Sequence, residues 1–202
     1  DFLREVVGAP ALLLGSSLGA TYAMAIACDA PAMVRAVCAV GPAGISRLTN
    51  GPSFITRAIQ ATFRTRVPGA VLFRALTSPR SIQWFLRGVY GKRGGLTPEK
   101  FEYYRVTATQ RGARFAPAAF VGMALNLDLR PMVSRWRVPL LLVWGSAASQ
   151  TPFRESDEVR AALPRAHFVA LHAGDLPHDE CPDAFLQALD EFLREVRPAA
   201  SA

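Results

Sequence analysis

The residues able to do chemistry lie in three short stretches. The first is Gly15-Ser16-Ser17-Leu18-Gly19, which fits the pattern Gly-x-Ser-x-Gly. It follows the apolar run Ala11–Leu14 and opens an Ala-rich helical pattern. A serine on such a strand-to-helix turn points off the sheet edge, in a strained backbone where side chains two positions either side would collide. Ser17 is therefore the candidate nucleophile, and the backbone N–H of Leu18 the candidate oxyanion donor. A serine hydroxyl attacks a carbonyl well only when a base takes its proton. The chain offers three histidines, His167, His172 and His178, all in its last quarter. His178 is the first choice of base and His172 the second; as ordinary structure, His178 would be a loop residue bonding backbone. Asp175 lies between them and is a weak base, because an ordinary Asp ionises near pH 3.9. Glu155 and Asp157 could supply an orienting carboxylate, or be ordinary first-turn helix charges. No Cys/His/Asp/Glu spacing suggests a metal, and no motif implies a cofactor.

Those residues need a scaffold. Ala11–Leu14 is apolar at every position, as expected for a strand buried on both faces of a parallel sheet. From Leu18 a helix is expected to bury Tyr22, Ala25 and Ile26. Val34–Val40 is a second apolar strand, Pro139–Trp144 a third and His167–Leu171 a fourth. Thr151-Pro152 reads as the start of a helix ending at Pro164. Pro182 starts a last helix with Phe185, Leu186, Leu189, Phe192, Leu193 and Val196 on one face. Strands alternating with helices give an α/β fold with a parallel sheet.

The totals narrow the class. Half of the 202 residues are hydrophobic and 19% are charged, enough for a buried core and against disorder. No apolar run is long enough to span a bilayer. No basic-then-apolar leader is visible, and Cys28, Cys38 and Cys181 are scattered, so free thiols in a reducing, cytoplasmic setting are expected. Charge is uneven. Ile45 to Arg130 holds 14 Lys/Arg against 3 Asp/Glu, which marks a separate block. It reads as helices broken at Pro52, Pro68, Pro79, Gly94, Pro98 and Pro117. Its charge is either surface arginine, an electropositive mouth for an anionic small molecule, or an attraction to an anionic membrane helped by Ile82–Tyr90. No nucleic-acid motif accompanies it.

With these segments in order, the chain resembles the α/β-hydrolase fold superfamily, of the capped, serine-elbow type, along nearly its whole length. "LLLGSSLGATYAMAIA" resembles the elbow and its helix, and "VRAVCAVGPAG" the next strand. The basic block resembles a helical cap. The resemblance implies a core over residues 1–44 and 131–202, with a cap over 45–130. It implies hydrolysis of an ester-like bond through Ser17, with Ser16, Trp84 and Phe85 in the substrate pocket. The alternative is a non-catalytic ligand- or partner-binding member.

Three departures from the family's pattern matter. "VPLLLVWGSAASQTP" resembles the strand that brings the acid, but the acid's position is Ala148. "HAGDLPHDECPDAFLQALDEFL" resembles the segment that brings the histidine, but its position is Asp175. The family's sheet also has earlier strands, whose loop supplies a second oxyanion donor. The chain is thus expected to be the C-terminal half of such a sheet: a fragment, a truncated product or one piece of an assembly. A missing N-terminal half or an oligomer partner would then cover the Ala11–Leu14 edge.

Overall fold

The structure is a computed structural model, and it describes residues 1–91 and 95–196. The expected break at Gly94 lies outside the described residues. Four parallel strands, β1 (Ala11–Ser16), β2 (Val34–Val40), β3 (Leu140–Gly145) and β4 (His167–Leu171), form one sheet in the order β1-β2-β3-β4. Alternate side chains of β2 go to opposite faces. Val37 and Ala39 pack with Leu140, Leu142 and Trp144 of β3 under helices α1 (Leu18–Asp29) and α8 (Glu155–Ala162). Ala36, Cys38 and Val40 face the other way, against Phe185 and Phe192 of α10 (Pro182–Glu195). Three layers result, and the central strands are apolar at every residue except the exposed Arg35 near the start of β2, because both faces are covered. Burial in this core pushes the Cys38 thiol up to about 12, so it is an inert hydrophobe.

β1 departs from the expected two-sided burial. It is an edge strand: Leu14 is 49% exposed, and Leu12 and Leu13 are half-buried. In α1 the expected face is only partly right. Ala25 is buried as expected, together with Ala20, Ala23, Met24 and Ala27, while Tyr22 and Ile26 are exposed. Small alanines let the helix lie close to the sheet, which a face of Tyr and Ile would not. In α10, Ala188 is buried where Leu186 was expected, and Leu186 is exposed.

Between β2 and β3 lie α2 (Phe54–Arg64), α3 (Pro68–Leu76), α4 (Pro79–Val89), α5 (Pro98–Ala108), α6 (Phe115–Val121) and the short α7 (Arg130–Val133). Their starts follow local chemistry. Ser53 and Thr56 form a capping box, Ser78 accepts from Ser81 N–H, and Thr97 accepts from Lys100 N–H. Prolines at 68, 79 and 98 take first-turn positions, where no N–H is needed. Pro117 breaks nothing, because it sits in the first turn of α6.

Candidate functional site

Ser17 stands between β1 and α1 with φ +52 and ψ −119. A non-glycine residue there carries strain of about 1–3 kcal/mol. The turn is pinned on two sides. Ser17 N–H donates to Val40 C=O of β2 at 2.9 Å, and Thr21 N–H donates to Ser17 C=O at 3.1 Å. The buried Thr21 hydroxyl also reaches Ala43 C=O at 2.9 Å, tying the helix to the segment after β2. The two flanking glycines are not equivalent. A Cβ on Gly15 would lie 2.5 Å from the Gly19 carbonyl carbon, whereas one on Gly19 would meet open space. The first glycine is sterically compelled and the second is the atom group it must clear. Leu18 opens α1, so its N–H has no acceptor within the helix.

Ser17 is exposed at the mouth of a cavity of about 230 Å³. Ser16, Gln150, Thr151, Tyr104 and Asp175 provide its polar rim; Val40, Phe85, Leu86, Val89 and Leu176 provide apolar wall. Among the described residues Ser17 Oγ makes no hydrogen bond to a histidine or carboxylate.

Asp175 shares that cavity but is turned to other work. Its Oδ1 accepts from Thr151 N–H and Gln150 N–H at 3.0 Å each. Its Oδ2 accepts from Ser149 N–H at 3.0 Å and lies 3.1 Å from Ser149 Oγ. Thr151 Oγ1 adds a contact at 3.3 Å to Oδ1. Consecutive N–H groups make a nest for an anion, and Asp175 is the anion. This also changes the reading of Thr151-Pro152. Thr151 is buried and donates to Asp175, and the helix starts later, at Glu155. Thr151 C=O in turn accepts from buried Trp144 Nε1 at 2.8 Å. Ala148, where an orienting acid was looked for, packs on the apolar core instead.

The histidines lie elsewhere. His178, in α9 (Pro177–Glu180), lines a different cavity of about 630 Å³ with Tyr90, Lys100, Tyr103 and Asp179. Burial pushes its imidazole pKa down, against the opposing pull of Asp179. Its Nδ1 is buried with no partner among the described residues, and its ring meets Phe185 edge-on at 6.0 Å. His172 is exposed, with Nδ1 3.5 Å from Ser146 Oγ. His167 pairs with Glu195 at 3.2 Å. Glu155 is held by Arg47 and Ser46, and Asp157 lies 3.4 Å from Arg160. Phe85 lines the Ser17 cavity, but Trp84 is 79% exposed and lines an outer concavity with Leu76, Arg80 and Ser81. No group of three His, Cys, Asp or Glu among the described residues could hold a metal ion.

The residues that sequence reasoning missed are Ser149, Gln150 and the Thr151 N–H. They act mainly through backbone N–H groups, which no side-chain pattern marks, with Ser149 Oγ and Thr151 Oγ1 adding contacts. Tyr104 and Leu176 were also missed; each lines both the Ser17 cavity and the His178 cavity.

The loop carrying Asp175 is fastened to the helical block. Asp175 N–H donates to Val89 C=O at the end of α4, at 2.8 Å. Gly174 runs so close to Val89 and Gly91 that a Cβ there would collide with both backbones, and Gly145 abuts Gly174 in the same way.

A strand-elbow-helix serine at the end of a parallel sheet, beneath inserted helices, defines an α/β protein of hydrolase type. The chain belongs to the alpha/beta hydrolase family, whose model matches residues 1–188. Solved structures agree in fold. A membrane phospholipase A, described as a bacterial virulence factor, superposes with a TM-score of 0.73 at 21% identity, covering 97% of this chain and 61% of its own. A thermophilic esterase from Thermogutta terrifontis gives 0.72 at 20% identity, covering 97% and 70%. An enol-lactonase from Burkholderia xenovorans gives 0.67 at 20% identity, covering 95% and 69%. The chain thus spans 61% of the phospholipase's length. No curated protein sequence matches it.

Proposed function

We propose that this chain is a ligand-binding member of the alpha/beta hydrolase family. Its Ser17 cavity takes a small, mostly apolar molecule with an ester-like or other carbonyl group, which it hydrolyses slowly at most. The observation that carries this is the engagement of Asp175 by the 149–151 loop. The Asp175 oxygens are taken up by the Ser149, Gln150 and Thr151 N–H groups, and Ser17 Oγ makes no hydrogen bond to them among the described residues. No imidazole substitutes for it, since His178 lines another cavity. Without a base, what remains is catalysis from binding and oxyanion donors alone. The cavity, at about 230 Å³, is smaller than the roughly 300–1,000 Å³ of most ligand pockets and suits a correspondingly small ligand. In this reading residues 45–130 are the cap that roofs it, with Ser16 and Phe85 in the wall, and no cofactor or metal takes part.

One observation favours true serine hydrolysis as a second reading. The strained Ser17 conformation is maintained, and such strain collects at functional sites. Labelling with a fluorophosphonate probe, read by mass spectrometry on this chain and on Ser17→Ala, separates the two. No adduct on Ser17 is the expected result. An adduct confined to Ser17 and absent from Ser17→Ala would overturn the binding reading in favour of the enzyme.

A further inference from the structure

We propose that the outer face of α2, α3 and α4 docks on an anionic lipid surface. Between Ile45 and Pro98 the chain has nine Lys/Arg and no Asp or Glu. The arginines on these helices and their joins, Arg57, Arg64, Arg66, Arg74, Arg80 and Arg87, are exposed. None makes an ion pair among the described residues. Five arginines outside these helices, Arg47, Arg105, Arg130, Arg135 and Arg160, each face a carboxylate.

Apolar side chains stand among those free charges. α2 buries Phe63 but leaves other apolar side chains outside. Phe54 is 88% exposed and Ile55 70%, while Gln60 turns inward against Gly122 of the following block. On α4, Trp84 projects beside Arg80 and Leu76 at a concavity of about 480 Å³. α3 packs against both α2 and α4, so the three helices form one layer. Free arginines alone would suit any polyanion. Protruding Phe, Ile and Trp suit one whose charged layer covers an apolar layer, which is the headgroup region of a bilayer. Arginine stems lie along the apolar layer while their heads stay with the phosphates. A second copy of the chain is a poor occupant, because it would bring two acid-free arginine faces together. Phe85 lines both this concavity and the Ser17 cavity, so the docked face adjoins the ligand site. The docking does not depend on what Ser17 does.

The test is co-flotation of the chain with vesicles of phosphatidylcholine, with and without about 30% phosphatidylglycerol. Expected is about tenfold more protein on the anionic vesicles at low salt, most of it released at about 0.5 M salt. Trp84 emission should shift to the blue on binding, a change lost in Trp84→Phe although Trp136 and Trp144 remain. The exposed triple variant R57E/R74E/R80E should lose the binding with an unchanged melting curve. Equal binding to both vesicles, or to neither, would overturn the proposal. So would anionic binding that the triple variant retains. Retention on heparin without vesicle binding would assign the face to another polyanion, and dimerisation abolished by Phe54→Ser would assign it to a second copy; either result overturns the lipid reading.

Discussion

The elbow at Ser17 and the loop pair that faces it have diverged in kind. The elbow keeps what a nucleophile needs: a positive-φ serine, a glycine that lets helix and strand touch, and a helix N-terminus behind. The facing loops are organised differently. Where the sequence resemblance leads one to expect an acid at Ala148 and a histidine at Asp175, Asp175 instead accepts from the Ser149, Gln150 and Thr151 N–H groups. That interaction holds the two loops together and needs no proton transfer. Geometry and basicity reside in different atoms, so the shape of the elbow does not by itself supply a base.

The largest expected effect comes from supplying that acid and histidine. The double variant A148D/D175H should raise Ser17-dependent hydrolysis of a p-nitrophenyl ester by about 10²-fold, the lower end of what a positioned general base contributes. An unchanged rate, with the fold intact by circular dichroism, would show that the facing loops are not what limits Ser17. The elbow is tested next through stability. Gly15→Ala should cost about 3 kcal/mol in urea unfolding, because its Cβ meets the Gly19 backbone and neither helix nor strand can yield easily. Gly19→Ala should be close to neutral, and equal costs at both positions would break the asymmetry.

A smaller loss is expected on the facing side. Asp175→Ala leaves the Ser149, Gln150 and Thr151 N–H groups without their acceptor and should cost about 2 kcal/mol. Added acetate should recover part of this loss by filling the nest, while formamide should not. The smallest effect concerns His178. Its imidazole pKa is depressed by burial, so the unfolded chain takes up the proton more readily than the folded one. Its contribution is complete above the unfolded histidine pKa of about 6.5 and is lost as pH falls through the lower folded value. His178→Phe should flatten that slope of stability against pH, leaving the slope near pH 4 from the carboxylates.

Much of this was legible in the sequence, for reasons specific to each part. β2 and β3 could be read because both faces are buried and every residue but Arg35 is apolar. The elbow could be read because Gly15 and Ser17 are side-chain requirements. The burial of α1 could not, since an alanine stripe has no hydrophobic contrast to mark it against Tyr22 and Ile26. The vacancy at Ala148 and the substitution at Asp175 were visible, but not their consequence: the carboxylate's partners are main-chain N–H groups, identical in every sequence. Trp84 and Phe85 are neighbours in the chain, yet one faces outward and the other the cavity, a difference fixed by how α4 is rolled on its support.

The contact of Gly145, Gly174 and Gly91 has a bearing on how such molecules can be altered. Main chain from the sheet, from the loop after β4 and from the end of α4 meet there without side chains between them. Transplanting the helical block from a relative would carry one third of that junction with it and leave two thirds behind. A donor block preserves the junction only if it places a carbonyl where Val89 C=O accepts from Asp175 N–H, and no side chain where Gly91 meets Gly174. The exchangeable unit is therefore defined by its fit to the sheet at residues 89–91 as much as by its two chain joins.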